Sequence, residues 1–223
     1  DFMGDLAGGL LVLLGTAIFI GIIFLVINKR KTDSVQAVEV LAARKGWRVE
    51  KVSERLASGY RLIGNGWAYE ALKTASSTSS GPGSSEISTV SRWFTNQVFF
   101  DPGILLIGPR QPNVDLGGIG EMLKQTMLRL MIGKEAEDAQ GIEEALIGRM
   151  ALRERYMVWT NQEEKAREVL TVEAENALIL YPGKIPPVVK FNSAGLEVKV
   201  ISHVLEKPEE IAALIAIGEA FLE

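Results

Sequence analysis

Few residues in this chain are equipped for chemistry. It holds one histidine, His203, and no cysteine. Zinc sites built from Cys and His, Cys-ligated iron–sulfur clusters and bis-His or c-type haem all need ligands it lacks. His203 follows the strand-like stretch Leu196 to Ser202 and reads as a structural or surface residue. As a catalytic base it would need a nucleophile, and the chain has no Gly-x-Ser-x-Gly elbow. Gly117-Gly118-Ile119-Gly120 stands before helix-like sequence, where backbone N–H groups could meet a phosphate. It lacks the third glycine of a dinucleotide loop, and no Gly-Lys-Ser/Thr follows. The pairs Glu143-Glu144, Glu163-Glu164 and Glu209-Glu210 each fall in the opening turn of an expected helix, where carboxylates favour the positive end of the dipole. No catalytic, metal-binding or cofactor-binding residue is assigned, and no nucleotide is expected.

The residue types that remain suit anchoring and recognition. Leu6 to Asn28 is uncharged, and Lys29-Arg30-Lys31 follows at once. As a helix these residues extend about 34 Å, enough for a hydrocarbon core of about 30 Å. Asp1 and Asp5 precede the run and the basic triplet follows it, the reverse of a signal peptide. The expectation is a retained single span at the inner membrane, N-terminus outside and residues from about 32 onward in the cytoplasm. Gly4 and Gly8 near its outer end, then Ala17 and Gly21 within it, form small-x-x-x-small pairs that let another transmembrane helix approach closely. No ionisable residue lies in the apolar core of the run, so a proton or ion path through it is not expected. Lys29, Arg30, Lys31, Arg44, Lys45 and Arg48 form a basic group suited to the lipid surface. The net charge of −4 leaves no general nucleic-acid footprint.

The elements that must position these residues follow from periodicity. Val35, Val38, Leu41 and Ala42 recur at helical spacing after Asp33 or Ser34 as N-cap, and Gly46 stops the helix. Trp47 to Lys51 alternates. Gly59 to Ile63 and Trp67 to Leu72 flank Gly64-Asn65-Gly66, a hairpin signal because glycine and asparagine tolerate φ > 0. Thr74 to Ser85 is rich in serine and glycine and reads as a flexible loop. Ser76, Ser77, Ser79, Ser80, Gly81, Pro82 and Gly83 are expected to meet a partner there. Gly103 to Gly108 reads as a buried strand. Gly118 to Ile132 is an amphipathic helix whose Met122, Met127 and Met131 suit a core. Helices are expected over Ile142 to Arg155, Asn161 to Leu170 with Thr160 as cap, and Val172 to Leu180. Tyr156 to Thr160 reads as a strand. Val188 to Phe191 and Leu196 to Ser202 make a hairpin, and Pro208 opens a last helix ending near Phe221. The order predicts an α+β domain over residues 32–223 behind an anchor at 1–31, with a sub-boundary near 110–117.

Several short runs form an ordered series: Gly46-Trp47-Arg48, Gly59 to Leu62, Tyr156 to Trp159, Glu164 to Thr171, Asn176 to Ile179, Gly195 to Val200 and Pro208 to Ile211. The series resembles a broad class of uncharacterised bacterial single-span membrane-anchored proteins. The resemblance implies an α+β domain on the cytoplasmic side and carries over no catalytic residue. The expected role is a non-catalytic accessory subunit of a larger membrane complex, with a respiratory or photosynthetic assembly as host and other transmembrane subunits and the bilayer as partners. The alternative is an independent membrane-tethered binding or signalling module.

Overall fold

The computed structural model describes residues 35–77, 85–110 and 141–223, with side chains except at 76–77 and 85–87. Leu6–Asn28, the basic triplet, Ser79 to Gly83 and the methionine helix lie outside the described residues. So do Asp33 and Ser34 and positions 111–117 of the expected sub-boundary. None of the described helices is long and apolar enough to cross a membrane.

The domain is α+β, as the order of elements predicts. Its centre is a nine-stranded antiparallel sheet in the order β1-β2-β3-β4-β9-β8-β5-β7-β6. The strands are β1 (Arg48–Ser53), β2 (Ala57–Ile63), β3 (Ala68–Ser77), β4 (Ser85–Thr95), β5 (Leu105–Pro109), β6 (Glu143–Glu144), β7 (Tyr156–Thr160), β8 (Val188–Asn192) and β9 (Gly195–Ile201). The helices are α1 (residues 35–45), α2 (Met150–Arg155), α3 (Glu163–Val169), α4 (Val172–Ile179) and α5 (Pro208–Ala220). The first four strands form a meander. The β8–β9 hairpin then inserts between β4 and β5, so strands from both ends of the chain meet at the middle.

Local chemistry explains most elements. Gly46 ends α1 at φ +72°. Gly66 takes φ +78° in the β2–β3 turn, where the Gly64 N–H donates to the Trp67 carbonyl at 3.1 Å. The Thr171 hydroxyl caps α4 by accepting from the Ala174 N–H at 3.2 Å. Pro208 opens α5, whose Ile211, Leu214, Ile215 and Ile217 are all fully buried. α5 packs on β4, β9 and α4. Gly218 is required there, because a Cβ would lie 2.3 Å from the Trp93 indole. Trp93 in turn adjoins Trp67 at 6.1 Å, and Trp67 meets Trp47 edge-on at 5.3 Å.

Three expectations need correction. Ile142 to Arg155 is not one helix: Glu143–Glu144 is a short strand on β7, the Ala145 N–H donates to the Val158 carbonyl, and only Met150–Arg155 is helical. Gly148, at φ +84°, separates the two parts. Glu143-Glu144 therefore does not serve a helix dipole, whereas Glu163-Glu164 and Glu209-Glu210 do open helices. The serine-rich loop is shorter than expected. Thr74 to Ser77 continues β3, with Ser77 opposite Ser85, because β4 stands opposite and backbone pairing carries the ladder past the bulky residues. Finally, Thr160 does not cap α3 as expected. Gln162 holds that position, and the Thr160 hydroxyl donates to the Ile104 carbonyl at 2.8 Å while accepting from the Gln162 N–H.

Candidate functional site

Side chains alternate across a strand, so each face of the sheet is written in every second residue. On the face away from α5, Glu50, Arg61, Glu70, Arg92 and Lys199 stand directly opposite one another across β1, β2, β3, β4 and β9. Glu70 is the hub and is only 2% exposed. Its Oε1 accepts from Arg61 Nε at 2.8 Å and also from Arg61 Nη2. Its Oε2 accepts from Arg92 Nε at 2.8 Å and lies 2.7 Å from Arg92 Nη2. Burial pushes the Glu70 carboxyl up, but the hydrogen bonds and charges of the two arginines outweigh it and hold the group below the usual glutamate range. Arg92 also lies over the Phe94 ring, 4.8 Å from its centroid.

A second triad continues the pattern. Glu197 Oε2 lies 3.5 Å from Lys190 Nζ, and its Oε1 lies 3.4 Å from Lys199 Nζ. Each carboxylate is thus shared by two cations. Arg48 adds a 2.9 Å pair with Glu50 at the sheet edge. Arg48, Arg61, Arg92, Lys190 and Lys199 face Glu50, Glu70 and Glu197 here, so this set of side chains is cationic by two.

At one end of this face, three chain reversals surround a cavity of about 480 Å³ that reaches Arg92, Phe94, Lys190 and Glu197. The Thr95 hydroxyl donates to the Gly66 carbonyl at 2.6 Å and accepts from the Gln97 N–H at 3.2 Å. Asn192 Oδ1 accepts from the Ala194 N–H, and the Asn192 carbonyl accepts from the Phe100 N–H. Gly195, at φ +126°, lets β9 pass so close to β4 that a Cβ would lie 2.2 Å from the Thr95 carbonyl oxygen. The result is a shallow cleft with two cations, one carboxylate, amides and an aromatic wall. Such a set recognises anionic or amide-bearing groups.

Of the residues singled out from sequence, Gly4, Gly8, Ala17 and Gly21 lie outside the described residues. Arg44 and Lys45 are exposed at the end of α1, and Arg48 is drawn into the ladder. The backbone of Ser76 and Ser77 belongs to β3 rather than to a loop. His203 is exposed beside Ser202, which has φ +57°, and borders a cavity of about 350 Å³ with Tyr181, Lys184 and Glu210. Among the described residues no three His, Asp or Glu side chains gather to hold a metal ion. The ladder itself was missed. Its available signal was period-two charge, Arg48/Glu50 and Glu197/Lys199, on strands whose other face is apolar.

No family model matches the chain, and no curated protein matches it. A solved structure with some likeness is the mycobacterial trehalose monomycolate transport factor A, TtfA. It is 11% identical, the match covers 83% of this chain and 92% of that one, and the TM-score is 0.41. A likeness this loose has no bearing on the role of the present chain.

Proposed function

We propose that this chain is a non-catalytic accessory subunit of a membrane assembly. Leu6–Asn28 anchors it, the α+β domain stands on the cytoplasmic side, and the charged sheet face with its cleft docks a neighbouring subunit. The observation that carries this reading is the ladder. Its carboxylates are each shared between cations, leaving a cationic face with a cleft rather than a reactive group. Among the described residues the other buried carboxylates are likewise tied into the scaffold: Glu175 accepts from Arg149, and Glu210 from Lys207. A partner segment bearing Asp, Glu or backbone carbonyls would complement Arg92 and Lys190.

Purification of the native protein in mild detergent tests this. Stoichiometric co-purifying membrane subunits are expected, and their release by Lys190→Gln with Arg92→Gln would assign the face. A monodisperse monomer with no companion would overturn it. A partner recovered only from the cytosol would favour the independent binding module instead.

A further inference from the structure

The two edges of the sheet are finished differently. At one end β6 is two residues long and acidic, Glu143–Glu144, which blunts that edge. At the other, β1 is six residues long, carries no proline and pairs with β2 without a bulge from Arg48↔Ile63 to Ser53↔Ser58. Among the described residues no strand pairs with the outer side of β1.

The turn after β1 fixes which backbone groups face outward. Glu54 and Ala57 exchange both of their hydrogen bonds, at 2.8 and 3.3 Å. Bonded pairs alternate along an antiparallel ladder, so Arg48, Glu50 and Val52 bond inward to β2. Val49, Lys51 and Ser53 therefore turn their N–H and C=O groups away from the sheet, as a template for another strand. The Trp47 N–H is taken by the Ala42 carbonyl at 2.9 Å, so only the Trp47 carbonyl continues that outward row.

We infer that a second copy of this chain pairs through β1, antiparallel and centred on Val49. Directly opposed side chains share a face, so a two-fold axis at this edge stands perpendicular to the sheet and is centred on one residue. The charges select which one. Centred on Arg48, Glu50 or Lys51, that residue would meet its own copy. Centred on Val52, Glu50 would meet Glu54; centred on Ser53, Lys51 would meet Arg55. Like charges directly opposed are unfavourable. Centred on Val49, each Arg48 instead stands opposite Glu50 of the second copy, and each Lys51 opposite Trp47. The backbone agrees with that register. The two Val49 residues bond in both directions, and each Lys51 N–H meets a Trp47 carbonyl, all of them outward groups.

The pairing leaves Lys190 and Arg92 of the cleft uninvolved and does not depend on the docking proposed above. A perpendicular two-fold also keeps both α1 helices on one side of the joined sheet, the arrangement that two anchors in one membrane require. Chains held in one bilayer by Leu6–Asn28 would meet at raised effective concentration, which strengthens a short edge contact.

Full chains bearing Arg48→Cys or Glu50→Cys, each with its own affinity tag, provide the test when co-expressed and oxidised, since the natural chain has no cysteine. Opposed residues between bonded pairs lie about 4.5 Å apart at Cα, within disulfide reach, whereas two copies of position 48 lie about 8 Å apart. Disulfides are therefore expected in mixed-tag dimers and absent from same-tag ones. In the cysteine-free chain, Arg48→Glu should raise the dimer dissociation constant about tenfold by analytical ultracentrifugation in detergent, because both Arg48–Glu50 contacts become repulsive. Glu50→Arg should do the same. Mixing the two variants should restore the native constant, which a fold defect in either would not allow. A native chain that sediments as a monomer, or a dimer with no preference for the mixed disulfide and no rescue on mixing, would overturn the proposal. A dimer held by the anchors alone gives the second of these results, and another protein's strand on β1 gives the first.

Discussion

Two rows of residues cross the same sheet one position apart. Val49, Leu62, Tyr69, Trp93, Val198, Val189, Ile107 and Val158 run in register across eight strands on the helical side. Glu50, Arg61, Glu70, Arg92 and Lys199 cross on the other side. Apart from half-buried Val49, the first row is removed from water beneath the helices, and each such large side chain contributes about 1.5–3 kcal/mol. In the second row most partners stay half-exposed, and pairs of that kind are worth about 0–1 kcal/mol. Lys199 is more covered, and Glu70 is buried between its two arginines. Stability therefore resides in one face, which leaves the other free to vary its charges for recognition. The division ends at β5, where Leu105 and Ile107 join the main core while Ile104 and Leu106 form a small buried cluster with Trp159 and Val188 on the other face.

The sharpest way to break this asymmetry is Trp93→Ala. It should cost about 3–5 kcal/mol in guanidinium unfolding, because three tryptophans and α5 meet around that ring. Glu70→Gln comes next, at about 2–3 kcal/mol, below the full cost of breaking a buried pair because both arginines keep access to water. The same group gives the acid limb its sign. Its folded carboxyl is held below the ordinary value of 4.5, so its contribution is complete above that pH and is lost as pH falls through the depressed value. Acid unfolding followed by tryptophan fluorescence should therefore be less steep in Glu70→Gln. Gly218→Ala, which forces a methyl against Trp93, should cost about 1–3 kcal/mol by the same denaturation.

Alkali addresses the apolar face. All four tyrosines of the chain are raised, mainly by burial, Tyr60 and Tyr156 to about 12 and Tyr69 and Tyr181 beyond their ordinary range. Their contribution is complete below pH 10 and fades as pH rises toward the folded values. Tyrosinate absorbance should stay flat near pH 10 and then appear together with unfolding; an ordinary titration centred at 10 would contradict the burial described here. The smallest effect belongs to Arg48→Gln at the exposed edge, under about 1 kcal/mol, measured by the thermal midpoint.

Much of the fold was legible. Gly64-Asn65-Gly66, the apolar run ending at Gly108 and Pro208 before α5 all carry their instructions within a few residues. The failures share a cause. Ile142 to Ala145 has the spacing of a helix, but the exposed edge of β7 offers hydrogen bonds that a local pattern cannot show. Thr74 to Ser77 has the composition of a loop, yet β4 stands opposite and extends the ladder. The candidate site was the least legible part. Glu70 finds Arg61 nine residues before it and Arg92 twenty-two after it, at spacings with no local signature.

The sequence by itself determined the chemical inventory, with one histidine and no cysteine, together with the turns and the alternation that gives strands such as β4 and β9 an apolar and a polar side. Those properties depend on residue type and on near neighbours. Only the tertiary structure decided which strands pair, and so placed β9 between β4 and β8 and set Glu70 between two arginines. Pairing energy depends on contacts between residues distant along the chain, and a shift of one position would have exchanged the core for the charged ladder.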